Sequence, residues 1–166
     1  MIFGTGNHAT TQLCLEKLEK NVRSGDMVLD IGCGSGILWI ASLLLGAKKA
    51  VGVDIDPHTI EINQNNAQLN GILEKDYTIL VGNILKDDAL KAQITKAYDL
   101  VVANIVADVI IEMLPIAKEV LKPGGLLIAS GIIDLREQEV RQKIEKIGMQ
   151  IEEIKTKDGW YMLAAK

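Results

Sequence analysis

Residues 27–46, MVLDIGCGSGILWIASLLLG, predict a strand, a glycine loop and a helix in immediate succession. The run MVLDI (27–31) is almost wholly apolar, as strands covered on both faces of a sheet tend to be. The loop Gly32–Gly36 holds three glycines, which let backbone approach a ligand where a Cβ would collide. The next helix is apolar on all sides and ends at Gly46, so we expect it to be buried, with its first N–H groups turned toward the ligand.

Further strand-like runs alternate with helical patterns beyond this unit. They are KAVGVDI (49–55), YTILVG (77–82), YDLVVANI (98–105) and GLLIASGI (125–132). Strands that alternate with helices predict a parallel sheet with right-handed crossovers. The C-terminal segments MQIEEIKTK and DGWYMLAAK predict a hairpin that turns at Asp158-Gly159 and adds an antiparallel strand. The predicted fold class is therefore α/β, with a mostly parallel sheet.

The predicted helices carry recognisable ends. The segment DPHTIEINQNNAQLNG (56–71) has Asp56 as its expected N-cap, Pro57 in its first turn and Gly71 as its stop. Two more helices are predicted from about Ala107 to Leu121, ending at the turn signal KPGG, and over residues 134–148.

Composition restricts the class of protein. The 166 residues make about one domain, and 48% hydrophobic with 24% charged residues is ordinary for a globular one. No apolar run reaches the about 20 residues of a membrane span, and no secretion signal opens the chain. The two cysteines fit neither a disulfide framework nor a zinc site, so we expect a reduced, cytoplasmic protein without a metal. A net charge of −4 argues weakly against a nucleic-acid partner and suits a basic protein or a cationic small molecule.

A carboxylate lies at the end of the next strand, at the spacing that a nucleoside requires. Asp54 lies 22 residues after Gly32, the offset at which an acid accepts hydrogen bonds from both hydroxyls of a ribose. The alternative is that Gly32, Gly34 and Gly36 only make a tight strand-to-helix turn. Asp54 favours the binding site, because it falls where the ligand would need it.

The residues around the loop favour a cationic nucleoside over a dinucleotide. Dinucleotide sites require G-x-G-x-x-G. This chain instead has G-x-G-x-G, and Ile37 occupies the position of the last glycine in the dinucleotide motif. Asp30, two residues before the first glycine, would repel a pyrophosphate and attract an ammonium and a sulfonium. S-adenosylmethionine carries both cations, so it is the expected cofactor, with NAD a distant second.

The chain resembles the class I methyltransferases, whose first motif is an acid followed by G-x-G-x-G. More narrowly it resembles the bacterial PrmA type, which methylates large-subunit ribosomal protein eleven. The resemblance rests on FGTGNHATTQLCL, LDIGCGSGILWIASLLLGA, VGVDIDPHTIEINQNNAQLNG, VVANIVADVI and LKPGGLLIASGI, which fall in family order. It implies a Rossmann-like fold with a seven-stranded sheet, helices on both faces, and residues 1–166 as the catalytic domain. Because the family has an N-terminal domain that holds the ribosomal protein, we expect this sequence to be the catalytic part without it, either a truncated form or a natural minimal relative.

The resemblance also assigns a role to the N-terminal segment. It implies a loop beside substrate and cofactor, with Thr11 contacting the cofactor. From the residues alone, HATTQLCLEKL reads as a helix start that Thr10 or Thr11 can cap, and capping is the alternative role for both. A lone His8 beside a loop is more often a surface residue than a catalytic base.

Asn104 is the candidate catalytic residue. It lies just past the C-terminal end of the fourth predicted strand, at the rim where open α/β sheets bind ligands. Many amino-methylating relatives hold the target nitrogen with an Asn followed by Pro-Pro and an aromatic residue; the tetrad from Asn104 to Ala107 resembles the PrmA form and lacks the aromatic. Its side-chain oxygen, with a backbone carbonyl near Ile105, would orient an amine for in-line attack, and Asn104 would also border the cofactor. The alternative is a simple turn residue at a strand end.

The remaining candidates carry weaker signals. Asn83 can reach the adenine edge or merely make a turn, and Ile55 can pack on the adenine face or belong to the core. Trp160 and Tyr161 are expected to pack in the hairpin rather than to form an amine cage, and Cys33 is expected to be inert. The predicted function is methyl transfer to lysine or α-amino groups of a basic protein. The alternatives are a fragment that binds cofactor without turnover, an NAD-dependent oxidoreductase, and a methyltransferase for a nucleic acid or small molecule.

Overall fold

The computed structural model describes residues 7–94 and 97–166. Within these ranges, strands and helices alternate as the sequence predicts. The strands are β1 (Met27–Ile31), β2 (Lys49–Asp54), β3 (Tyr77–Val81), β4 (Tyr98–Asn104), β5 (Leu121–Ile133), β6 (Ile151–Lys157) and β7 (Trp160–Ala165). The helices are α1 (Ala9–Asn21), α2 (Ile37–Leu44), α3 (Thr59–Leu69), α4 (Asp88–Gln93), α5 (Ala107–Val120) and α6 (Asp134–Lys146).

All seven strands form one sheet in the order β3-β2-β1-β4-β5-β7-β6. The first five strands in this order pair in parallel, and β7 lies antiparallel to both β5 and β6. The predicted mostly parallel sheet with a C-terminal antiparallel hairpin is therefore confirmed. Strand order reverses between β1 and β4, and ligands of open α/β sheets bind at the carboxyl ends of the strands that flank such a point.

Helices cover both faces of the sheet, which explains the continuous apolar strands. Successive strand residues point to opposite faces. Val28, Leu100 and Val102 pack with residues of α1 and α2, whereas their neighbours Leu29 and Val101 pack with residues of α5 and α6. Helix α2 is buried over Leu38–Ile40 as predicted, but Leu44 at its C-terminal end is 60% exposed, so the expectation of burial all round was wrong there.

Two predicted helix caps were wrong. Helix α1 is capped by His8, whose ring Nδ1 accepts a hydrogen bond from the Thr10 N–H at 3.2 Å, while Thr10 and Thr11 are both buried in the first turn. Helix α3 begins at Thr59 rather than at Asp56. Asp56 opens a separate turn, because its side chain accepts from the His58 N–H (2.9 Å) and its carbonyl accepts from the Thr59 N–H (3.0 Å).

Of the two turns predicted in the C-terminal half, one is wrong and one is confirmed. KPGG, predicted as the turn that ends α5, lies inside β5, where the register against β4 shifts between Tyr98 and Leu100. The hairpin turn is as predicted: Asp158 and Gly159 have φ of +52° and +81°, the two positive values that a type I′ turn needs. No helix in the described ranges is long and apolar enough to cross a membrane.

Candidate functional site

A cavity of about 440 Å³ opens at the carboxyl ends of β1 to β4, and its volume is in the range of small-molecule sites. Most of the residues predicted to bind cofactor line it. Those that do are Gly32, Gly34, Asp54, Ile55, Asn83 and Asn104. Thr11, Asp30 and Gly36 are not among the lining residues.

The glycines of the loop are required by the protein itself as well as by any ligand. Gly32 and Gly36 have φ of +74° and +88°, which side chains rarely adopt. A Cβ on Gly32 would collide with the Ile105 side chain, and one on Gly36 would collide with the Asn63 side chain. The predicted reason, close approach of a ligand, therefore does not account for Gly36.

Asp54 presents an oriented carboxylate to the cavity. Its Oδ2 accepts a hydrogen bond from the Gly34 N–H at 2.9 Å, and its Oδ1 accepts from the Asp56 N–H at 3.0 Å. A carboxylate has about four lone-pair sites, so each oxygen can accept one more hydrogen bond. The group can thus hold a pair of neighbouring hydroxyls.

Asp30 lies behind the loop and is 1% exposed. Its Oδ2 accepts from the Trp39 N–H at 3.2 Å in the first turn of α2, and its Oδ1 has no hydrogen-bond partner within residues 7–94 and 97–166. Burial raises the pKa of Asp30 to about 7, with the Trp39 N–H opposing the shift and the charge of Asp54 adding to it. A buried carboxyl with an unpaired oxygen is a place where a nearby cation gains free energy.

Asn104 stands where this cavity meets a second one. The smaller cavity, about 90 Å³, is lined by His8, Thr10, Asn104, Ile105, Val106, Gly131 and Trp160. Asn104 Nδ2 donates to Thr10 Oγ1 at 3.2 Å, and that hydroxyl lies 2.7 Å from His8 Nδ1. Because its amide nitrogen is engaged in this way, Asn104 can use its side-chain oxygen to accept from an incoming group.

The comparison with protein families decides what kind of protein carries this site. The family model described as ribosomal protein L11 methyltransferase (PrmA) matches residues 1–166. The chain belongs to the PrmA family.

Similar proteins cover this PrmA-family chain almost completely. The ribosomal protein L11 methyltransferase of Agathobacter rectalis is 46% identical over 168 residues, which are 99% of this chain and 52% of that protein. That of Carboxydothermus hydrogenoformans is 43% identical over 166 residues, again 52% of its length. The ribosomal protein L11 methylase structure from Lactobacillus delbrueckii subsp. bulgaricus superposes with a TM-score of 0.87 at 34% identity, covering 97% of this chain and 80% of that one. The chain spans about half the length of the curated relatives it matches.

The structure of this PrmA-family chain shows where the site residues with weaker sequence signals lie. Ile55 is 72% exposed on the cavity wall and is therefore not core. Asn83 also lines the cavity, and its Oδ1 makes a turn by accepting from the Leu85 N–H at 3.0 Å. Burial raises the pKa of the Cys33 thiol far above its usual range, so the thiol stays protonated. Phe3–Gly6 of the FGTG segment lie outside the described residues.

Sequence reasoning missed several residues of this PrmA-family site. Trp160 lines the smaller cavity with its ring 5.3 Å from that of His8, rather than only packing in the hairpin. Asn63 and Asn66 of α3 hold the glycine loop, donating to the carbonyls of Gly34 (2.7 Å) and Ser35 (2.8 Å). The available signal was the stripe Thr59, Asn63 and Ala67 on the buried face of α3, which places an amide where a helix usually buries a large apolar residue.

Proposed function

We propose that residues 1–166 form the catalytic domain of a methyltransferase that uses S-adenosylmethionine to methylate amino groups of ribosomal protein L11. The observation that carries this proposal is the position of Asn104 between two cavities, one bordered by Asp54 and one by Trp160. The first has the groups for a nucleoside, and the second is narrow enough for a single side chain. The acceptors are lysine or α-amino groups of a basic protein, and the net charge of −4 suits such a partner.

The residues that line the larger cavity have the chemical groups needed to bind S-adenosylmethionine. Asp54 would accept from the ribose hydroxyls, Gly32 and Gly34 would border the ligand with backbone, and Ile55 and Asn83 would meet the adenine. Asp30 acts from behind the loop, where its unpaired oxygen favours positive charge. Thr11 is buried in α1 (1% exposed), and its contact with cofactor rests on the family resemblance. The cofactor supplies a methyl group already activated by its sulfonium.

The smaller cavity would orient the amine. The Asn104 side-chain oxygen accepts an N–H of the amine, whose lone pair then points toward the larger cavity. Thr10 fixes the amide by accepting from its Nδ2, and His8 Nδ1 is itself occupied with Thr10 and the cap of α1. We therefore assign His8 an orienting role through Nδ1, and we expect the amine to lose its proton to solvent. Orientation of this kind is worth about 7–11 kcal/mol of a barrier.

The catalytic part is tested by incubating the protein with methyl-labelled S-adenosylmethionine and ribosomal protein L11. We expect label in L11, and none in L11 whose lysines and amino terminus have been acetylated, because acetylation removes the nucleophilic lone pair. Cofactor binding with no transfer would contradict catalysis and leave a binding module. Label in ribosomal RNA instead would contradict the protein substrate, and tight binding of NADH would contradict the cofactor.

Replacing Asp54 with alanine should weaken S-adenosylmethionine binding by tens of fold. The substitution removes the acceptor of the ribose hydroxyls, and hydrogen bonding to a charged group is worth about 1.5–3 kcal/mol, of which about 2 kcal/mol already corresponds to tens of fold. Calorimetry on the wild type and the variant measures the change. Asp88→Ala is the matched control, since it removes an exposed carboxylate that lies at the start of α4. Equal affinities of wild type and Asp54→Ala would remove the basis of the nucleoside assignment.

A further inference from the structure

A chain of hydrogen bonds connects the two carboxylates of the cofactor site. The Trp39 N–H donates to Asp30 Oδ2 (3.2 Å), and Trp39 Nε1 donates to Asn63 Oδ1 (2.6 Å). Asn63 Nδ2 donates to the carbonyl of Gly34 (2.7 Å), and the N–H of that same residue donates to Asp54 Oδ2 (2.9 Å). The Gly34 residue is thus held from both sides, by α3 through its carbonyl and by β2 through its N–H.

The two side chains in the middle of this hydrogen-bond chain are shielded from water. Trp39 and Asn63 are both 0% exposed, so water cannot replace a bond that is lost between them. Asn63 Nδ2 also donates to the Thr59 carbonyl (2.8 Å). Three hydrogen bonds therefore fix one orientation of the Asn63 side-chain amide. The Trp39 ring stacks on Tyr77 with centroids 4.6 Å apart, which fixes the direction of its N–H. Buried polar groups in such a network lose much when one partner is removed.

We propose that Asn63 and Trp39 are positioning residues of the cofactor site, which hold the Gly34 peptide so that its N–H sets the orientation of the Asp54 carboxylate. The inference rests on the proposed function, since it assumes that the larger cavity takes S-adenosylmethionine. Neither side chain lines that cavity, so both act through Gly34 rather than by contact. Gly36 belongs to the same arrangement, because a Cβ there would collide with Asn63 and come within 2.7 Å of Trp39 Nε1.

Asn66 also holds the glycine loop, but at a different residue. It lies one turn along α3, and its Nδ2 donates to the Ser35 carbonyl (2.8 Å). Asn70, a further turn along, donates to the Asn66 carbonyl within the helix (2.7 Å) and is exposed. Asn63 and Asn66 thus contact the glycine loop, whereas the side chain of Asn70, the C-cap of α3, donates back to the helix, which makes Asn70 the control position.

The sharpest test is Trp39→Phe, which removes one N–H donor and keeps an aromatic ring over Tyr77. Binding of S-adenosylhomocysteine, measured by calorimetry, should weaken about tenfold, the effect of losing one well-formed buried hydrogen bond. The control Asn70→Ala should bind like the wild type. In an Asp54→Ala background the same Trp39→Phe change should cost less than about twofold, because the group it positions is gone.

Amide hydrogen exchange gives a second readout that needs no ligand. Exchange at Gly34 should accelerate in free Trp39→Phe protein and remain unchanged in Asn70→Ala. Should Trp39→Phe fold poorly, Asn63→Ser serves instead, since its hydroxyl is too short to reach both Gly34 and Trp39.

Three results would overturn the inference. The first is a Trp39→Phe protein that is less stable but binds S-adenosylhomocysteine with unchanged affinity. The second is full additivity of the effects of Trp39→Phe and Asp54→Ala on that affinity. The third is an unchanged rate of amide exchange at Gly34. Wild-type protein that binds no S-adenosylhomocysteine would overturn the proposed function, and with it this role. Normal wild-type binding beside an unaffected variant would overturn the inference alone.

Discussion

Replacing Asn104 with alanine is expected to slow methyl transfer about a hundredfold while changing cofactor affinity far less. The substitution removes the side-chain oxygen that orients the amine, and a misplacement of about 1 Å at a reacting centre costs about that factor. Ground-state cofactor binding depends mainly on Asp54 and the glycine loop. The measurement is kcat for methylation of ribosomal protein L11 at saturating cofactor, with calorimetry for affinity.

The control for this prediction uses the hydroxyl that holds the amide. Thr10 Oγ1 accepts from Asn104 Nδ2 at 3.2 Å, so Thr10→Val should lose part of the rate and Thr10→Ser should recover most of it. Asn70→Ala, which removes an exposed amide on α3, should leave kcat unchanged. An Asn104→Ala rate within about threefold of wild type would contradict the assigned role, since positioning by that oxygen is worth far more.

The parallel sheet explains why much of the site was predictable from sequence. The strands β1, β2 and β4 are short continuous apolar runs, and parallel strands place their carboxyl ends at one edge. Gly32 directly follows β1, and Asp54 and Asn104 are the last residues of β2 and β4, so their proximity follows from the fold class alone. Helix α4 was missed because its six residues, Asp88–Gln93, are too few for a helical period to appear.

Contacts between distant segments were not predictable in the same way. The pairing of His8 with Trp160 depends on β7 inserting between β5 and β6, and a single sequence does not state that order. The bond from Trp39 to Asn63 likewise depends on how α2 and α3 meet behind the loop. The cap of α1 was wrong because the helix begins earlier than a threonine cap would place it: His8 accepts from the Thr10 N–H, whereas local propensity favours Thr10 or Thr11, which would cap an N–H further along the chain.

The pH dependence of cofactor binding should follow the protonation state of the Asp30 carboxyl. Burial raises its pKa to about 7 in the free protein, so much of it is protonated below that pH. Cys14 from α1 and Cys33 of the loop face the same region, and burial raises the pKa of Cys14 to about 12 and that of Cys33 further still. Both thiols therefore stay protonated between pH 5 and 8. The charge of Asp54 also acts on Asp30 and contributes repulsion between carboxylates.

A cationic ligand favours the charged form of Asp30, so binding must displace its proton at low pH. Affinity for S-adenosylmethionine should therefore rise as pH increases from about 5 to about 7, by up to about tenfold per pH unit. Above about pH 8 it should fall again, because a free α-amino group loses its proton near pH 7.7–8.0. Calorimetry at several pH values gives the profile, and two buffers of different ionisation enthalpy at pH 6.5 give the proton released.

Asp30→Asn separates this carboxyl from every other titrating group. The amide oxygen still accepts from the Trp39 N–H, so the first turn of α2 keeps its partner while the titration is lost. The variant should bind with little dependence on pH below 7. The same carboxyl should also act on folding: because its pKa is higher in the folded protein than in the unfolded chain, the wild-type free energy of unfolding should decline relative to Asp30→Asn as pH rises from about 4 to about 7. A binding profile of equal slope in both proteins would place the titrating group elsewhere and remove Asp30 from the cofactor site.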